Sequence, residues 1–344
     1  MDTNQILSLF IADADAYTIK PFGDGLIHQT FVVEKEGLPA YILQHINRHV
    51  FKKPDDIAFN LQAMGSFLDE RSFGFLVPFP ERTLSGNIHA VVDGEYYRLT
   101  PFVEGTHSLN ECQDASQAFE AALQFGKYTA SFKGFDALQL RPSIPGFHDL
   151  AFRWQQFQDA LQNGNPQRIT HAKEQISVIC EKHAIVEKFI KIGQSTDFIQ
   201  RVTHHDTKIN NVLFNRQGKS VCVIDLDTTM SGLTISDLGD MFRTYLSPGN
   251  EEETDLRKVF VRKDCLQAII AGYKECMADN MTSSELGAIG YAGEFMIYMQ
   301  ALRFLTDFLN DDKYYGIKYE MNNYDRTVNQ LHLLKDYQSV LLSI

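Results

Sequence analysis

The sequence contains no apolar run long enough to span a bilayer, and residues 1–22 carry neither a basic start nor a long apolar stretch. A soluble cytoplasmic chain with no membrane partner is expected. Cysteine is scarce: Cys112, Cys180, Cys222, Cys265 and Cys276 are scattered, odd in number and never in a CxxC spacing. That argues against a disulfide framework and against structural zinc, so reduced thiols are expected. Basic clusters are missing as well. The 32 Lys and Arg are outnumbered by 44 Asp and Glu, for a net charge of −12. Nothing is available to neutralise a nucleic-acid backbone, and no nucleic-acid partner is expected. There is no internal repeat and no low-complexity tract.

What is present is apolar bulk. With 344 residues, 44% hydrophobic and 12% aromatic, the chain has enough to fill a large core and to divide into two lobes, which excludes a disordered or fibrous protein. A first helix is expected over 4–12. Residues 17–47 then read as strands separated by glycine turns, including Thr30-Phe31-Val32-Val33 and Ala40-Tyr41-Ile42-Leu43-Gln44. Pro54-Asp55-Asp56 opens a helix running toward Glu70, because proline and acids suit a first turn. Asp93-Gly94 between β-rich runs predicts a type I′ hairpin. From about Asp114 the apolar period turns helical, over 115–132, 149–162, a long stretch around 167–191, and several helices after Arg257. One β island interrupts it: 211–214 and 221–226 are joined by the turn Asn215-Arg216-Gln217-Gly218-Lys219. The acidic run Glu251-Glu252-Glu253 reads as a solvated helix start. A β-rich first third feeding a helical remainder is an α+β layout with a cleft between lobes.

The chemistry concentrates in His204-His205-Asp206-Thr207-Lys208-Ile209-Asn210-Asn211, followed by Val223-Ile224-Asp225-Leu226-Asp227. Asp206, Lys208 and Asn211 precede one strand, and Asp225 ends its hairpin partner. Pairing those strands brings the polar groups together. A proton-accepting carboxylate, an ammonium, and an amide oxygen beside a second carboxylate for a hard metal are what transfer of a phosphoryl group from ATP requires.

The same residues carry a family resemblance. His204-x-Asp206-x-Lys208-x-x-Asn211 resembles the catalytic loop of protein kinases, and His204-x-Asp206 with Asn211 also resembles the H-G-D-x-x-x-x-N loop of aminoglycoside phosphotransferases and choline kinases. Ser236-Asp237-Leu238-Gly239-Asp240 is similar to the aspartate segment that follows in those phosphotransferases. Asp225-Leu226-Asp227 departs from the D-F-G of protein kinases, which favours the small-molecule branch. Arg201-Val202-Thr203-His204-His205-Asp206, Asp240-x-x-Arg243-Thr244, Leu302-Arg303-Phe304-Leu305-Thr306-Asp307 and Thr100-Pro101-Phe102-Val103-Glu104-Gly105 look like segments of bacterial N-acetylhexosamine 1-kinases. The resemblance reaches nearly the whole chain. It implies a bilobal protein-kinase-like fold, with a β-rich N-lobe over 1–103 and a mainly helical C-lobe over 104–344.

The resemblance also implies roles. Asp206 would orient and deprotonate an acceptor hydroxyl, and Lys208 would neutralise the travelling phosphoryl group. Asn211 and Asp225 would hold Mg2+ against ATP, and Asp227 is either a second metal ligand or a solvated strand-end acid. Asp237 and Asp240 would brace the loop. Gly23, Gly25 and Thr30 lie where a kinase folds its glycine loop over phosphates, although an ordinary hairpin turn reads the same way. Gln44 stands where the family carries its phosphate-binding lysine, and neither Lys52 nor Lys53 replaces it by sequence. Phe102 and Glu104 mark the interlobe hinge. His28, Arg243, Arg303 and Tyr315 are candidate contacts to a sugar acceptor, against local hydrogen bonding for the histidine and ion pairs for the arginines. Phe147-His148-Asp149 and Trp154 either line the acceptor side or belong to the core. Three alternatives to a sugar 1-kinase remain: the same fold acting on another alcohol (an aminoglycoside, choline or a homoserine-like acceptor), a metal phosphohydrolase built on His205-Asp206, which lacks further converging histidines, and a nucleotide-binding scaffold without catalysis, suggested by Gln44.

Overall fold

The computed structural model describes residues 3–23, 27–70 and 75–343. A short helix α1 (Thr3–Leu7) precedes strands β1 (Tyr17–Pro21), β2 (Gln29–Lys35) and β3 (Leu38–His45), helix α2 (Pro54–Asp69), and strands β4 (Ala90–Val92) and β5 (Glu95–Pro101). These strands form one antiparallel sheet in the order β1-β2-β3-β5-β4. The β4–β5 turn is the expected one: Asp93 and Gly94 both have positive φ (53° and 79°), as a type I′ turn demands. Beneath the sheet, Ile6, Leu7, Phe10 and Ala14 pack on Val33, Leu43, Tyr97 and Leu99 as a small separate core. The first helix is shorter than its apolar pattern, because residues 8–16 leave the helix for turns that keep Phe10 and Ala14 buried under the strands.

Strand β6 (Thr106–Ser108) opens the second lobe. Helices α3 (Ala115–Ser131), α4 (Leu150–Asn163), α5 (Pro166–His171), α6 (Lys173–Glu181) and α7 (Ala184–Gln194) follow, then strands β7 (Arg201–Thr203), β8 (Val212–Asn215), β9 (Ser220–Val223) and β10 (Met230–Gly232), and helices α8 (Thr234–Tyr245), α9 (Lys263–Met277), α10 (Ser283–Gly287), α11 (Ile289–Leu309) and α12 (Asn322–Leu341). Asp114 and Asp149 cap α3 and α4 by accepting from the Gln117 and Phe152 amides. The single helical stretch expected around 167–191 is three helices. The breaks let the chain bend around the almost wholly buried α11, whose Tyr298 and Tyr291 hydroxyls donate to the Ile179 and Ile185 carbonyls at 3.0 and 2.7 Å.

The result is an α+β bilobal kinase-like fold. Helix α2 buries Ile57, Leu61 and Met64 in the same core as α3 and α8, so it anchors the sheet lobe to the helical one. Among the described residues no helix is long and apolar enough to cross a membrane. The acidic run is a second departure. Glu251, Glu252 and Glu253 lie in a loop held by Arg243, Arg326 and Lys258, not at a helix start.

Helices α3 and α9 cross on glycines. A Cβ on Gly272 would stand 2.3 Å from the Phe119 carbonyl oxygen, and one on Gly126 2.9 Å from that of Tyr273. Backbone cannot yield as a flexible side chain does. Gly272→Ala is therefore expected to destabilise the protein by about 1–3 kcal/mol, read as a lowered denaturation midpoint in urea at unchanged slope.

Candidate active site

Pairing of Val212 with Val223 across β8 and β9, and the Ile224 amide donating to the Asn211 carbonyl at 2.9 Å, bring the two halves of the motif together. The Asn211 side-chain amide donates to the Asp206 carbonyl (2.8 Å) and to its carboxylate (3.0 Å), which leaves Asn211 Oδ1 as the free atom. Lys208 Nζ lies 3.1 Å from the other Asp206 oxygen. Burial raises the Asp206 carboxyl, but Lys208, His204 and the Asn211 amide outweigh it, so the group sits below the ordinary carboxylate range. Asp206 is thus an ionised, weak base that is firmly oriented.

The loop is braced from beneath. Asp237 accepts the His204 and His205 amides at 2.9 and 2.8 Å, and Asp240 accepts the Thr207 amide at 2.8 Å. Burial pushes the Asp237 carboxyl up to about 7 despite those two bonds. The His204 ring donates from Nε2 to the Ile224 carbonyl (3.0 Å) and accepts the Asp206 amide at Nδ1 (3.3 Å), tying the loop to the end of β9.

His205 adopts φ +65°, a region that costs a residue with a Cβ about 1–2 kcal/mol. A glycine is the natural occupant, as in the H-G-D loops this motif resembles. Gly232 makes room for the ring, since a Cβ there would lie 2.6 Å from it. Burial holds the His205 imidazole down to about 4. The neutral ring is the folded form, so stability is complete above the unfolded value near 6.5 and is lost as pH falls toward 4. Over that window His205 is expected to contribute a loss of about 3 kcal/mol. His205→Asn, which tolerates a left-handed backbone, should flatten that part of the urea-stability profile.

Asp225 is the second strained residue, at φ +59°. Among the described residues its carboxylate makes no hydrogen bond or ion pair, and burial together with Asp227 and Asp206 pushes it up to about 6. Asp225 and Asn211 line the same cleft, and a carboxylate with an amide oxygen, neither hydrogen-bonded among the described residues, is a donor pair suited to a hard divalent cation. Asp227 is already engaged by protein donors. Both of its oxygens are taken by the Arg98 guanidinium (Nη2 at 2.9 Å, with Nη1 on the other oxygen), and His28 Nε2 donates to one of them at 2.6 Å. Although His28, Asp225 and Asp227 offer atoms within 4.8 Å of one another, Asp227 works here as a buried counter-ion. Burial raises its carboxyl, yet Arg98 and His28 hold it far below the ordinary range.

The cleft itself has a volume of about 350 Å³ and runs between the lobes. Ile42, Leu61, Phe102, Val103, Leu213 and Leu226 form its apolar part, and Gln44, Arg98, Asn211 and Asp225 its polar end. Of the residues expected at a nucleotide, Gln44 and Phe102 line it. Glu104 does not, and Thr30 reaches it only through a 3.5 Å bond from Gln44. The Phe102 amide already donates to the Ala40 carbonyl (2.9 Å), so this hinge N–H is not free for a base edge. Gly23 has φ +71°, and Gly25 lies outside the described residues.

The expected acceptor residues divide. His28 is buried: it accepts the Asn47 amide at Nδ1 (3.0 Å) and stacks on Phe51. Arg243 is locked by Asp240 and Glu251, and so steadies the brace under Thr207. Arg303 is different. Among the described residues it has no carboxylate partner, and its guanidinium lies 5.4 Å from the Tyr315 ring and 5.6 Å from Phe147. Arg303 and Tyr315 border a second cavity with Arg153 and Tyr314. The His148 ring, next to Phe147, lies 5.2 Å from that of His205 at a tilt of 56°, and His205 adjoins Asp206. Trp154 packs in the core against Phe157 and His183. Arg98 was not singled out from sequence; its only signal was strand pairing, since Gln44 and Arg98 are direct partners across β3 and β5.

A two-lobed fold with this loop, brace and acidic pair defines a phosphotransferase. The model of the phosphotransferase enzyme family matches residues 18–275, more than half of the chain, and the protein belongs to that family. Among solved structures it is similar to an aminoglycoside phosphotransferase from Alicyclobacillus acidocaldarius (TM-score 0.66, 11% identity, 100% of this chain and 97% of that one). It is also similar to a microcompartment-associated aminopropanol kinase (TM-score 0.65, 16% identity, 98% and 97% covered) and to an amicoumacin kinase in complex with AMP-PNP, Ca2+ and Ami (TM-score 0.62, 14% identity, 99% and 97% covered). At these identities the likeness concerns the fold.

Proposed function

We propose that this protein transfers the γ-phosphoryl group of ATP to the anomeric hydroxyl of an N-acetylhexosamine or related sugar, giving a sugar 1-phosphate. The observation that carries the reading is that Asn211 and Asp225 both line an apolar interlobe cleft, with the Asp206 carboxylate held to the Asn211 side-chain amide at 3.0 Å. The amicoumacin kinase neighbour, which holds AMP-PNP and Ca2+, supports a nucleotide and a divalent ion for that cleft. Asn211 and Asp225 would hold Mg2+, which when bound neutralises charge on the phosphates. Asp206 accepts the hydroxyl proton as the oxygen attacks phosphorus, and ADP leaves. Lys208 lies beside Asp206, where its ammonium balances charge spread over the equatorial oxygens in transit.

Asp206 is a weak base, and an anomeric hydroxyl is more acidic than an ordinary alcohol, so the two suit each other. Arg303 and Tyr315 supply a fork and a ring face for a sugar, as the resemblance implies. Polycationic or quaternary acceptors are less favoured, because Glu251, Glu252 and Glu253 are already paired and form no acidic cage. A boundary between lobes at 103/104 is part of the reading: β5 completes the first sheet, whereas β6 pairs with β8. The test is ADP release with ATP and magnesium across free hexoses, N-acetylhexosamines, choline and aminoglycosides, with NMR to locate the phosphate. Turnover only with non-sugars would overturn the acceptor, and none with any alcohol would overturn the kinase reading.

A further inference from the structure

The chain lacks a lysine at the β3 position that Gln44 occupies, yet the cleft is not without a fixed cation. Arg98, in direct register with Gln44 on β5, has its side chain on the same face of the sheet and lines the same polar end of the cleft as Asn211 and Asp225. Only 4% of it is exposed. Its Nε donates to Gln44 Oε1 at 2.9 Å, and its two terminal nitrogens each donate once to Asp227. Of five guanidinium protons, two are left over. Helix α2, which in a kinase supplies the acid that holds the lysine, places none of its three acids in the cleft lining: Asp55 and Asp56 pair with His89 and Arg141, and Asp69 is its last residue. Asp227 takes that part from the other lobe, with His28 as a second donor to the same carboxylate.

We infer that Arg98 is the nucleotide-phosphate contact of this protein, aimed by Gln44 and held by Asp227, so that the cation has moved one strand across the sheet. The inference rests on the ATP reading above. A guanidinium at this place can give two parallel N–H bonds to phosphate oxygens, which a lysine cannot. Because its counter-ion sits in the helical lobe, phosphate binding also ties the lobes together through Arg98.

The test is calorimetric binding of ADP with Mg2+, and of adenosine, to wild type, Arg98→Met, Arg98→Lys and the double variant R98M/D227N. The double variant removes both buried charges at once and so leaves no orphan carboxylate should Arg98→Met alone fail to fold. ADP affinity is expected to fall on the order of 10- to 100-fold in Arg98→Met and in the double variant, the loss of hydrogen bonds to a charged group. Adenosine affinity should stay near wild type, and Arg98→Lys should lie between. Equal losses for ADP and adenosine, or wild-type ADP affinity in the double variant, would overturn the assignment. Wild type that binds no adenine nucleotide would instead overturn the ATP reading itself.

Discussion

Asp225→Asn is expected to lower turnover by on the order of 10³-fold or more while leaving the fold intact. The carboxylate has no protein partner among the described residues, and its raised pKa reflects burial beside Asp227 and Asp206. Removing it takes away a charge that the folded protein holds at a cost, only partly offset by Arg98 and His28, and that a bound cation would relieve. Asparagine also accepts the left-handed backbone at this position, where φ is +59°. The variant should therefore melt at the same or a higher temperature than wild type without magnesium, and should lose the stabilisation that magnesium with ADP gives wild type. Initial rates and thermal melts, each with and without magnesium and ADP, check this. Activity within tenfold of wild type would remove Asp225 from the metal site.

Asp206→Asn should act differently. The oxygen framework that accepts from Asn211 is kept, so binding of ATP is expected to change little. The proton acceptor is lost, and kcat should fall by roughly 10²–10⁴. Because Asp206 lies below the ordinary carboxylate range, it contributes more by orienting the hydroxyl than by basicity. The defect should then be smaller with an acceptor whose hydroxyl is more acidic, a comparison the sugar and plain alcohol substrates provide. A raised KM for ATP at unchanged kcat would make Asp206 a nucleotide residue and not an acceptor one.

The parts legible from sequence were those set by local rules. Asp93-Gly94 made its turn, Pro54 opened its helix, helices begin near Asp114 and Asp149 where the periodicity changes, and the hairpin of β8 and β9 carried Asn211 to Asp225. Each depends on residues close in the chain or on one strand pairing. Asp237 and Asp240 do form the expected brace, because the loop amides at 204, 205 and 207 need acceptors that no strand supplies.

What failed to read through were roles decided by which charge finds which partner. Asp227 carried the same sequence signal as Asp225, an acid at the end of the motif, while His28 was only a histidine beside the glycine turn; in the structure they are a buried counter-ion and its donor. Arg243 was lost to Asp240 and Glu251 in the same way, and Glu251 to Glu253 became anchors for a loop.

The amino-acid order alone determined the two-lobed plan and the short hairpin that gathers the acid, amide and metal ligand, since periodicity, caps and turns act over a few residues. Only the packing of one lobe against the other decided that a buried arginine, Arg98, lines the interlobe cleft. Its partner Asp227 lies 129 positions away in the chain, and a buried guanidinium persists only where such a distant carboxylate meets it.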